Sequence, residues 1–270
     1  MTMFTGLGIL GTVGLAVLGF GFVAAMIVYI IKASEEAKRR AAARIAAMQA
    51  LAAEHGLSFV PHLDSEHDER YYHFGVFQRG FDKFAYNSIS GEIELAIGDG
   101  WSGAGLGATG KVQTGDFKYK TRETTTTTDS KGRTTTRTRI VNHAFSYFIL
   151  ELPFEEVPDL MIRREHLFDK IASAFGKNDI DFESAEFSRK FYVKSGSRKF
   201  AYDVIHQRMM EFLLETKPGI VDMEQGRICL TDGMSVWDAD RFGASLDWTL
   251  RYLEHWPAFL VKDLTEGKQV

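Results

Sequence analysis

The densest cluster of titratable side chains in this 270-residue chain follows Pro61 and consists of His62, Asp64, Glu66, His67, Asp68 and Glu69. Histidines and carboxylates are residue types that bind a zinc ion. A zinc site also needs its ligands at fixed spacing on a rigid element, and Pro61 opens a segment typical of a solvated loop. The sequence therefore predicts a polar surface cluster at this position, and we assign no metal to it.

The rest of the chain carries no recognised catalytic pattern. HExxH, paired CxxC, GxSxG and the kinase motifs are all absent from the sequence. The one cysteine, Cys229, lies in an apolar strand-like run and is predicted to be a small buried residue. We interpret the separate histidines as structural or surface residues: His143, His166, His206 and His255. No catalytic residue and no cofactor is assigned, and an enzyme whose site is assembled from scattered residues remains the alternative.

A basic, threonine-rich segment is the one candidate contact surface that charge supports. Between Lys111 and Arg139 lie eight basic and three acidic residues, a balance of +5 that leaves −9 on the rest of a chain with a net charge of −4. Threonine-rich arms flank the turn residues 129–132, which predicts a solvated hairpin. Anionic lipid headgroups attract clustered Lys and Arg. We therefore assign lipid contact, as a hypothesis, to Arg122, Lys131, Arg133, Arg137 and Arg139, with a merely solvated hairpin as the alternative.

The N-terminal segment is apolar and contains no Asp, Glu, Lys, Arg or His before Lys32. The 25 residues 7–31, if helical, are about 37 Å long, enough to cross a hydrocarbon core of about 30 Å. A cleaved signal peptide is the rival, but it requires a basic segment ahead of its apolar run, which residues 1–6 lack. We therefore expect a transmembrane anchor over residues 1–31 that contacts the lipid bilayer through residues 7–31.

Basic residues directly after the apolar segment predict its orientation. Five of them occur within 13 residues: Lys32, Lys38, Arg39, Arg40 and Arg44. Because an excess of Lys and Arg keeps one end of a span in the cytoplasm, the N-terminus is expected outside and the rest of the chain inside. Residues 32–56 are rich in alanine and stop at Gly56, which predicts a helical stalk.

Residues 57–270 change to a strand pattern and are predicted to form one α+β domain. A composition of 45% hydrophobic and 25% charged residues excludes a disordered chain and is sufficient for one core. Alternating residues from Phe74 onward predict a meander of short strands with a turn at Ser90-Gly91. Residues 98–110 are predicted to be a flexible glycine-rich loop, with a ligand loop around Trp101 as the alternative.

Later segments complete this predicted domain. Residues 144–152 are apolar on both faces, which indicates a central strand, and 221–230 read as a hairpin with a turn at Gln225-Gly226. Helical periodicity predicts helices over 165–175, 198–215 and 246–260. The resulting fold is a mainly antiparallel sheet with two or three packed helices. Trp248, Tyr252 and Trp256 line one side of the last helix, which docks on the sheet or, alternatively, dips into a membrane interface.

Several of these segments together resemble a known group of proteins. The meander with Asn87 and Gly91, the strand 116–119 that leads into a polar hairpin, the passage 152–160 and above all residues 182–215 are similar to uncharacterised, membrane-anchored bacterial proteins carrying a domain of unknown function. The resemblance spans most of residues 57–230. It implies a protein of the bacterial cytoplasmic membrane with one or two N-terminal spans, and it brings no catalytic residue.

The sequence thus favours a membrane-tethered binding or scaffold module over an enzyme. The slightly acidic net charge of −4 gives no global drive toward nucleic acid. A protein partner or a second copy of the chain remains open as the bound species. The alternatives are an enzyme without a motif and a sensor of anionic lipid surfaces that uses the hairpin.

Overall fold

The computed structural model describes residues 5–95, 109–165, 180–268 and 270, with side chains from Ala25 onward. The chain divides into two compact units, Met1–Ala47 and Met48–Val270. Apart from residues at their edges, the predicted glycine-rich loop 98–110 and the predicted helix 165–175 lie outside the described residues. His166 and Trp101 lie outside them as well.

The first helix, α1 (Thr5–Glu54), corrects the predicted membrane anchor. Within the residues whose side chains are described, no helix has the length and apolar composition needed to cross a membrane. The predicted anchor, the single-pass topology and the location in the cytoplasmic membrane are therefore contradicted.

The C-terminal end of α1 agrees with the predicted helix stop. Met48 and Ala52 are buried in the core of the second unit, which fixes the last turns of the helix there. Gly56 adopts a φ of +66°, and the Leu57 N–H donates to the Ala52 carbonyl at 2.7 Å. A left-handed glycine after the last turn is a common helix end because it turns the chain without a Cβ clash.

In the described part of the chain, eight strands form one sheet, which confirms the α+β class with an antiparallel sheet. In chain order they are β1 (Ser58–Val60), β2 (Phe81–Glu94), β3 (Thr109–Thr128), β4 (Thr134–Glu151), β5 (Leu160–Arg164), β6 (Phe191–Ser195), β7 (Ile220–Glu224) and β8 (Arg227–Thr231). Every pairing is antiparallel, and the spatial order is β1-β2-β3-β4-β8-β7-β5-β6. β4 lies in the middle of the sheet, as predicted from residues 144–152, which are apolar on both faces of the strand.

The two faces of the sheet carry separate cores. On the first face, Val112 and Phe148 join the apolar side chains of the helices. On the second face, Phe117 and Tyr147 pack with residues 74–77. The helices after α1 are α2 (His67–Arg70), α3 (Ala185–Lys190), α4 (Arg198–Val204), α5 (Gln207–Thr216), α6 (Ala239–Glu254) and α7 (Ala258–Thr265).

Two predictions for the start of the sheet are wrong. The segment around Phe74 and Val76 is not a strand, because Gly75–Gln78 forms a turn of 3₁₀ helix that buries Val76 and Phe77. The predicted turn at Ser90-Gly91 does not interrupt the sheet. β2 continues through it, paired with β3, while Gly91 takes a φ of +156° where a Cβ would come within 2.7 Å of Leu57.

Two predicted helices differ in their bounds. The predicted helix 198–215 is broken into α4 and α5 at Ile205, whose φ and ψ of −96° and 60° are not helical. The predicted helix 246–260 begins earlier as α6 and ends at Glu254, and Pro257 precedes the separate helix α7. Proline fixes its own φ and lacks the N–H that a continuous helix requires, so a new helix starts after it.

A buried polar network connects the central strands to the loop before α6. The Asp116 carboxylate accepts hydrogen bonds from Ser146 Oγ at 2.5 Å and from Asn87 Nδ2 at 3.1 Å. Ser146 Oγ in turn accepts from the Trp237 N–H at 2.8 Å. All of these side chains are buried. The network therefore holds residues 231–237 against β4 and helps to shape the pocket described below.

Candidate functional site

The predicted polar cluster after Pro61 does not assemble into a site. Asp64 is ion-paired with Arg70, and Asp68 is ion-paired with Lys83 at 2.5 Å. Among the described residues, no group of three or more His, Cys, Asp or Glu side chains is placed to hold a metal ion. The carboxylates of this segment fix α2 against β2.

His67 from the same cluster is buried, which the prediction of a solvated loop did not anticipate. Its ring lies 4.6 Å from the Tyr147 ring and 4.8 Å from the Phe77 ring, and Nδ1 is 3.4 Å from the Tyr147 hydroxyl. Burial, followed by the nearby Arg70 charge, lowers the pKa of His67 to about 3. A neutral imidazole among aromatic rings acts here as a core residue.

The predicted threonine hairpin forms a long two-stranded ribbon. The ribbon consists of residues 121–128 of β3 and 134–141 of β4. In the described sheet, these two segments pair only with each other. The eight residues on β3 span a length of about 27 Å, and every side chain from Arg122 to Ile140 is exposed. Threonine hydroxyls pair across the strands, for example Thr124 with Thr138 at 3.1 Å.

The five predicted lipid-contact residues all lie on this ribbon, but three already have partners. Arg139 donates two hydrogen bonds to the Glu123 carboxylate, at 2.7 and 3.0 Å, and Arg133 pairs with Asp129 at 3.2 Å. Arg122 lies over the Phe81 ring at 4.3 Å. Lys131 and Arg137 have no acidic partner among the residues that the structure describes. The ribbon is therefore accessible, but much of its positive charge is locally compensated.

A pocket of about 430 Å³, absent from the sequence predictions, lies at one end of the sheet. Because β5, β7 and β8 are antiparallel neighbours, the end of β5 at Arg164, the start of β7 and the end of β8 meet there. The turn 216–219 closes one side: Lys217 ends α5 with a φ of +48°. A Cβ on Gly219 would lie 2.6 Å from the Thr231 carbonyl oxygen, so only glycine permits this approach.

The charges lining this pocket are predominantly positive. Arg164, Lys217 and Arg241 contribute three cations, and Asp232 contributes the one carboxylate. Asp232 Oδ1 accepts the N–H groups of Met234 and Ser235, each at 2.9 Å, and Oδ2 is bonded to Ser235 Oγ. The contact between Asp232 and Arg241 is loose at 3.4 Å. The carboxylate is therefore already occupied. Arg164 Nε donates to the Pro218 carbonyl at 3.0 Å, whereas the Lys217 ammonium has no hydrogen-bond or ion-pair partner in the described part of the chain.

Two tryptophans supply the apolar wall. The Arg241 guanidinium lies 4.8 Å from the centroid of Trp237, so this cation is held against an aromatic face. Trp248 stacks on Phe212 at 5.4 Å and on Tyr252 at 5.3 Å. Its indole Nε1 is shielded and has no hydrogen-bond partner among the described residues. The pocket thus combines cationic donors, aromatic surface and one unused indole donor.

Among the described residues, the same wall carries no hydroxyl paired with a base. Among the described residues that line it there is no His, no Cys and no second carboxylate. Its hydroxyls donate to backbone carbonyls: Thr216 to Phe212, Thr231 to Ser146 and Ser245 to Arg241. A nucleophile needs a neighbouring base, and none of these three hydroxyls donates to one.

The predicted aromatic stripe on the last helix is part of the core. Tyr252 and Trp256 are buried, and Trp256 packs edge-on to Phe200 at 5.9 Å. The helix therefore docks on the domain, and the alternative of a stripe dipping into a membrane interface is wrong. The sequence did not indicate that Trp248, on the same stripe, also lines a pocket.

Comparisons with known proteins add a distant structural likeness. No protein-family model matches the chain. A search among curated proteins likewise finds no match. Among solved structures, the chain is similar to the mycobacterial trehalose monomycolate transport factor A, with 15% identity, a TM-score of 0.43, and coverage of 78% of this chain and 91% of the other. A likeness at this identity and TM-score assigns no function to the chain.

Proposed function

We propose that the second unit is a ligand-binding module, and that its pocket takes an anionic ligand with an aromatic or other apolar body. The observation that carries the proposal is the convergence of Arg164, Lys217 and Arg241 on one wall while the single carboxylate is saturated. A volume of about 430 Å³ suits a small organic molecule. Guanidinium and ammonium groups bind phosphate and carboxylate with charge-assisted hydrogen bonds.

The geometry of the pocket suggests a separate role for each of these side chains in binding the ligand. The partly exposed Trp248 gives the apolar body of the ligand a surface, and Arg241, held over the buried Trp237, places a cation in the same pocket. Lys217 is exposed at the rim, where it attracts the anion before binding. The Trp248 Nε1–H gains the hydrogen-bond acceptor that it lacks in the described structure.

The first test uses 1-naphthyl phosphate as the probe for the full chain, with 1-naphthol and inorganic phosphate as matched probes that lack one half of it. Isothermal titration calorimetry should give binding of 1-naphthyl phosphate that is at least about tenfold tighter than either half. Arg241→Gln and Lys217→Asn should each weaken it about tenfold or more, because a hydrogen bond to a charged group contributes about 1.5–3 kcal/mol. Asparagine is chosen at position 217 because it tolerates a positive φ.

Lys262→Gln is the control for this test. Lys262 is an exposed cation on α7, away from the pocket lining, with one acidic neighbour at 4.0 Å. Its replacement changes the net charge by the same amount and should leave the affinity unchanged. Equal binding of 1-naphthol, or an affinity in Arg241→Gln equal to that of the unmodified chain, would refute the anion role.

The exposed ribbon supports a second candidate, contact with an anionic lipid surface through the hairpin. The supporting observation is the exposure of every side chain from Arg122 to Ile140. It makes Lys131 and Arg137 accessible, which have no acidic partner among the described residues. Each cation near such a surface contributes about 1 kcal/mol at most. The local pairing of Arg133 and Arg139 makes this the weaker of the two candidates.

Sedimentation with vesicles tests the ribbon. The full chain should bind vesicles containing anionic lipid at low salt and dissociate as salt rises, since exposed charges are screened. The double variant Lys131→Ala, Arg137→Ala should bind several-fold less. The matched control Lys199→Ala, Lys262→Ala removes the same charge from exposed helix positions and should bind like the unmodified chain. Equal binding to neutral vesicles would remove the lipid role.

A further inference from the structure

A second cavity, separate from the anion pocket, lies on the second face of the sheet. It has a volume of about 360 Å³ and lies against β5, β6 and β7. Five of its lining residues are titratable: His73, Asp159, Lys194, Asp222 and Glu224. Asp222 and Glu224 are two residues apart on β7 and therefore project on the same side of the sheet.

Asp222 is the unusual member of this group. Its side chain is 2% exposed, it lines the cavity, and its Oδ1 has no hydrogen-bond partner among the described residues. A buried carboxylate oxygen without a partner costs free energy unless the group is neutral or a ligand supplies the partner. Burial, followed by the charges of Glu224 and Asp159, raises the pKa of Asp222 well above its usual value.

Two other groups around the cavity also have pKa values shifted toward the neutral form. Burial, and then the Asp159 charge, raises the pKa of Glu224 to about 7. Both ring nitrogens of His73 are shielded without a hydrogen-bond partner among the described residues. Burial, followed by the Arg227 charge, lowers the pKa of His73 to about 4, so its ring is neutral near pH 7 and offers an acceptor nitrogen.

Among the residues that line the cavity, carboxyls outnumber cations. Arg163 on β5, on the same face as Asp222, is buried over the Tyr192 ring at 4.1 Å and does not line the cavity. Lys194 on β6 is the one cation in the lining, and it forms no ion pair with the three carboxyls in the described part of the chain. On β8, Arg227 opposite Glu224 is paired with Glu151 at 3.3 Å. The Cys229 thiol opposite Asp222 is kept neutral because burial raises its pKa. An added cation would therefore find unpaired acceptors.

We propose that this cavity binds a small organic cation with a primary ammonium group, which replaces protons on Asp222 and Glu224. The ammonium carries three N–H donors, and Asp222, Glu224 and the neutral His73 ring supply acceptors along one cavity. When the cation binds, each carboxyl that ionises releases its proton to the solvent. The release of one proton balances the charge of one bound cation within the cavity.

The pH dependence of binding follows from the sign of these shifts. Below pH 7 the empty cavity holds its protons, and the cation must displace them, so affinity is low. As the pH rises through about 7, Glu224 ionises more readily and affinity increases. An alkylammonium itself stays charged over this range, because its pKa is close to that of lysine, about 10.4.

Butylammonium is the probe, with 1-butanol as its uncharged counterpart and tetramethylammonium as a cation without N–H donors. Titration calorimetry of the full chain at pH 7, in two anionic buffers of different ionisation enthalpy, should show proton release on binding of butylammonium. Its affinity should rise at least fivefold from pH 6 to pH 8. The other two probes should bind at least tenfold more weakly.

Isosteric variants complete the test. Asp222→Asn and Glu224→Gln should each weaken butylammonium binding at least tenfold and reduce the number of protons released. Glu215→Gln, an exposed acid on α5, is the control and should change neither quantity. Because Glu224 is only partly buried, its variant remains informative if Asp222→Asn unfolds. Binding without proton release, equal binding of 1-butanol, unchanged affinity in Glu224→Gln, or no butylammonium binding would each overturn the proposal.

Discussion

Replacing Asp116 with alanine is expected to lower the free energy of unfolding by about 3–5 kcal/mol, because each buried polar group left without a partner costs about 1–3 kcal/mol. Asn87 Nδ2 and Ser146 Oγ both donate to this carboxylate. In the variant neither donor has its acceptor, and water does not reach these buried positions. Urea unfolding of the full chain, followed by circular dichroism, measures the change.

Two further variants distinguish the loss of the network's hydrogen bonds from the loss of a negative charge. Asp116→Asn keeps the shape but converts one acceptor into an NH₂ group, so its loss of stability should lie between those of Asp116→Ala and the unmodified chain. Asp181→Ala removes an exposed carboxylate and should change stability by less than about 0.5 kcal/mol. If Asp116→Ala were no more destabilising than Asp181→Ala, the network would contribute nothing to the fold.

Replacing Phe212 with alanine should destabilise the second unit by a similar amount, about 3–5 kcal/mol. The ring is buried on α5 and stacks against Trp248 at 5.4 Å and His255 at 4.6 Å. Its removal leaves a cavity in the first-face core and also withdraws support from Trp248 in the anion pocket. The expected result is therefore a lower urea midpoint together with weaker binding of 1-naphthyl phosphate.

Phe259 provides the matched control for this change. It is also a phenylalanine on a helix, α7, but its side chain is 53% exposed. Phe259→Ala should cost less than about 1 kcal/mol, because little apolar surface is lost from the core. Similar losses for the two variants would show that the apolar side of α5 is not part of a packed core.

Sequence reasoning succeeded where the signals were local. The threonine hairpin, the central strand β4 and the β7–β8 turn at Gln225-Gly226 were predicted, because turn residues and alternation lie within a few positions of each other. The positive φ values of Gln225 and Gly226, +50° and +70°, fit the tight hairpin that such a pair favours.

Local patterns also explain the errors. Phe74 and Val76, the alternating pair that predicted a strand, are both buried, and the 3₁₀ turn Gly75–Gln78 buries Phe77 as well. The apolar residues of 198–215 keep helical spacing on both sides of the break at Ile205. Their periodicity therefore cannot distinguish one helix from two. The uncharged N-terminal run predicted a membrane anchor from composition alone.

Neither candidate site could be predicted from the sequence, because the residues that form each one are far apart in the chain. Arg164, Lys217 and Arg241 meet only because the antiparallel order of β5, β7 and β8 brings their ends together. Asp222 alternates with Val221 and Met223, which predicts a solvent-facing side chain, yet the second face is covered at this point and the carboxylate is buried. Tertiary burial overrides the period-two pattern in this strand.

The proposal of an anion pocket is tested most directly at the indole N–H groups of its own tryptophans. In the full chain labelled with ¹⁵N-tryptophan, the indole resonances of Trp237, Trp248 and Trp256 can be assigned by single Trp→Phe substitutions. Trp237 and Trp248 line the pocket, whereas Trp256 packs against Phe200 in the core. Titration with 1-naphthyl phosphate should move the Trp237 and Trp248 signals in a saturable manner and leave the Trp256 signal in place. Unchanged Trp237 and Trp248 signals at saturating probe, or an equal shift of all three, would contradict the assignment of the pocket.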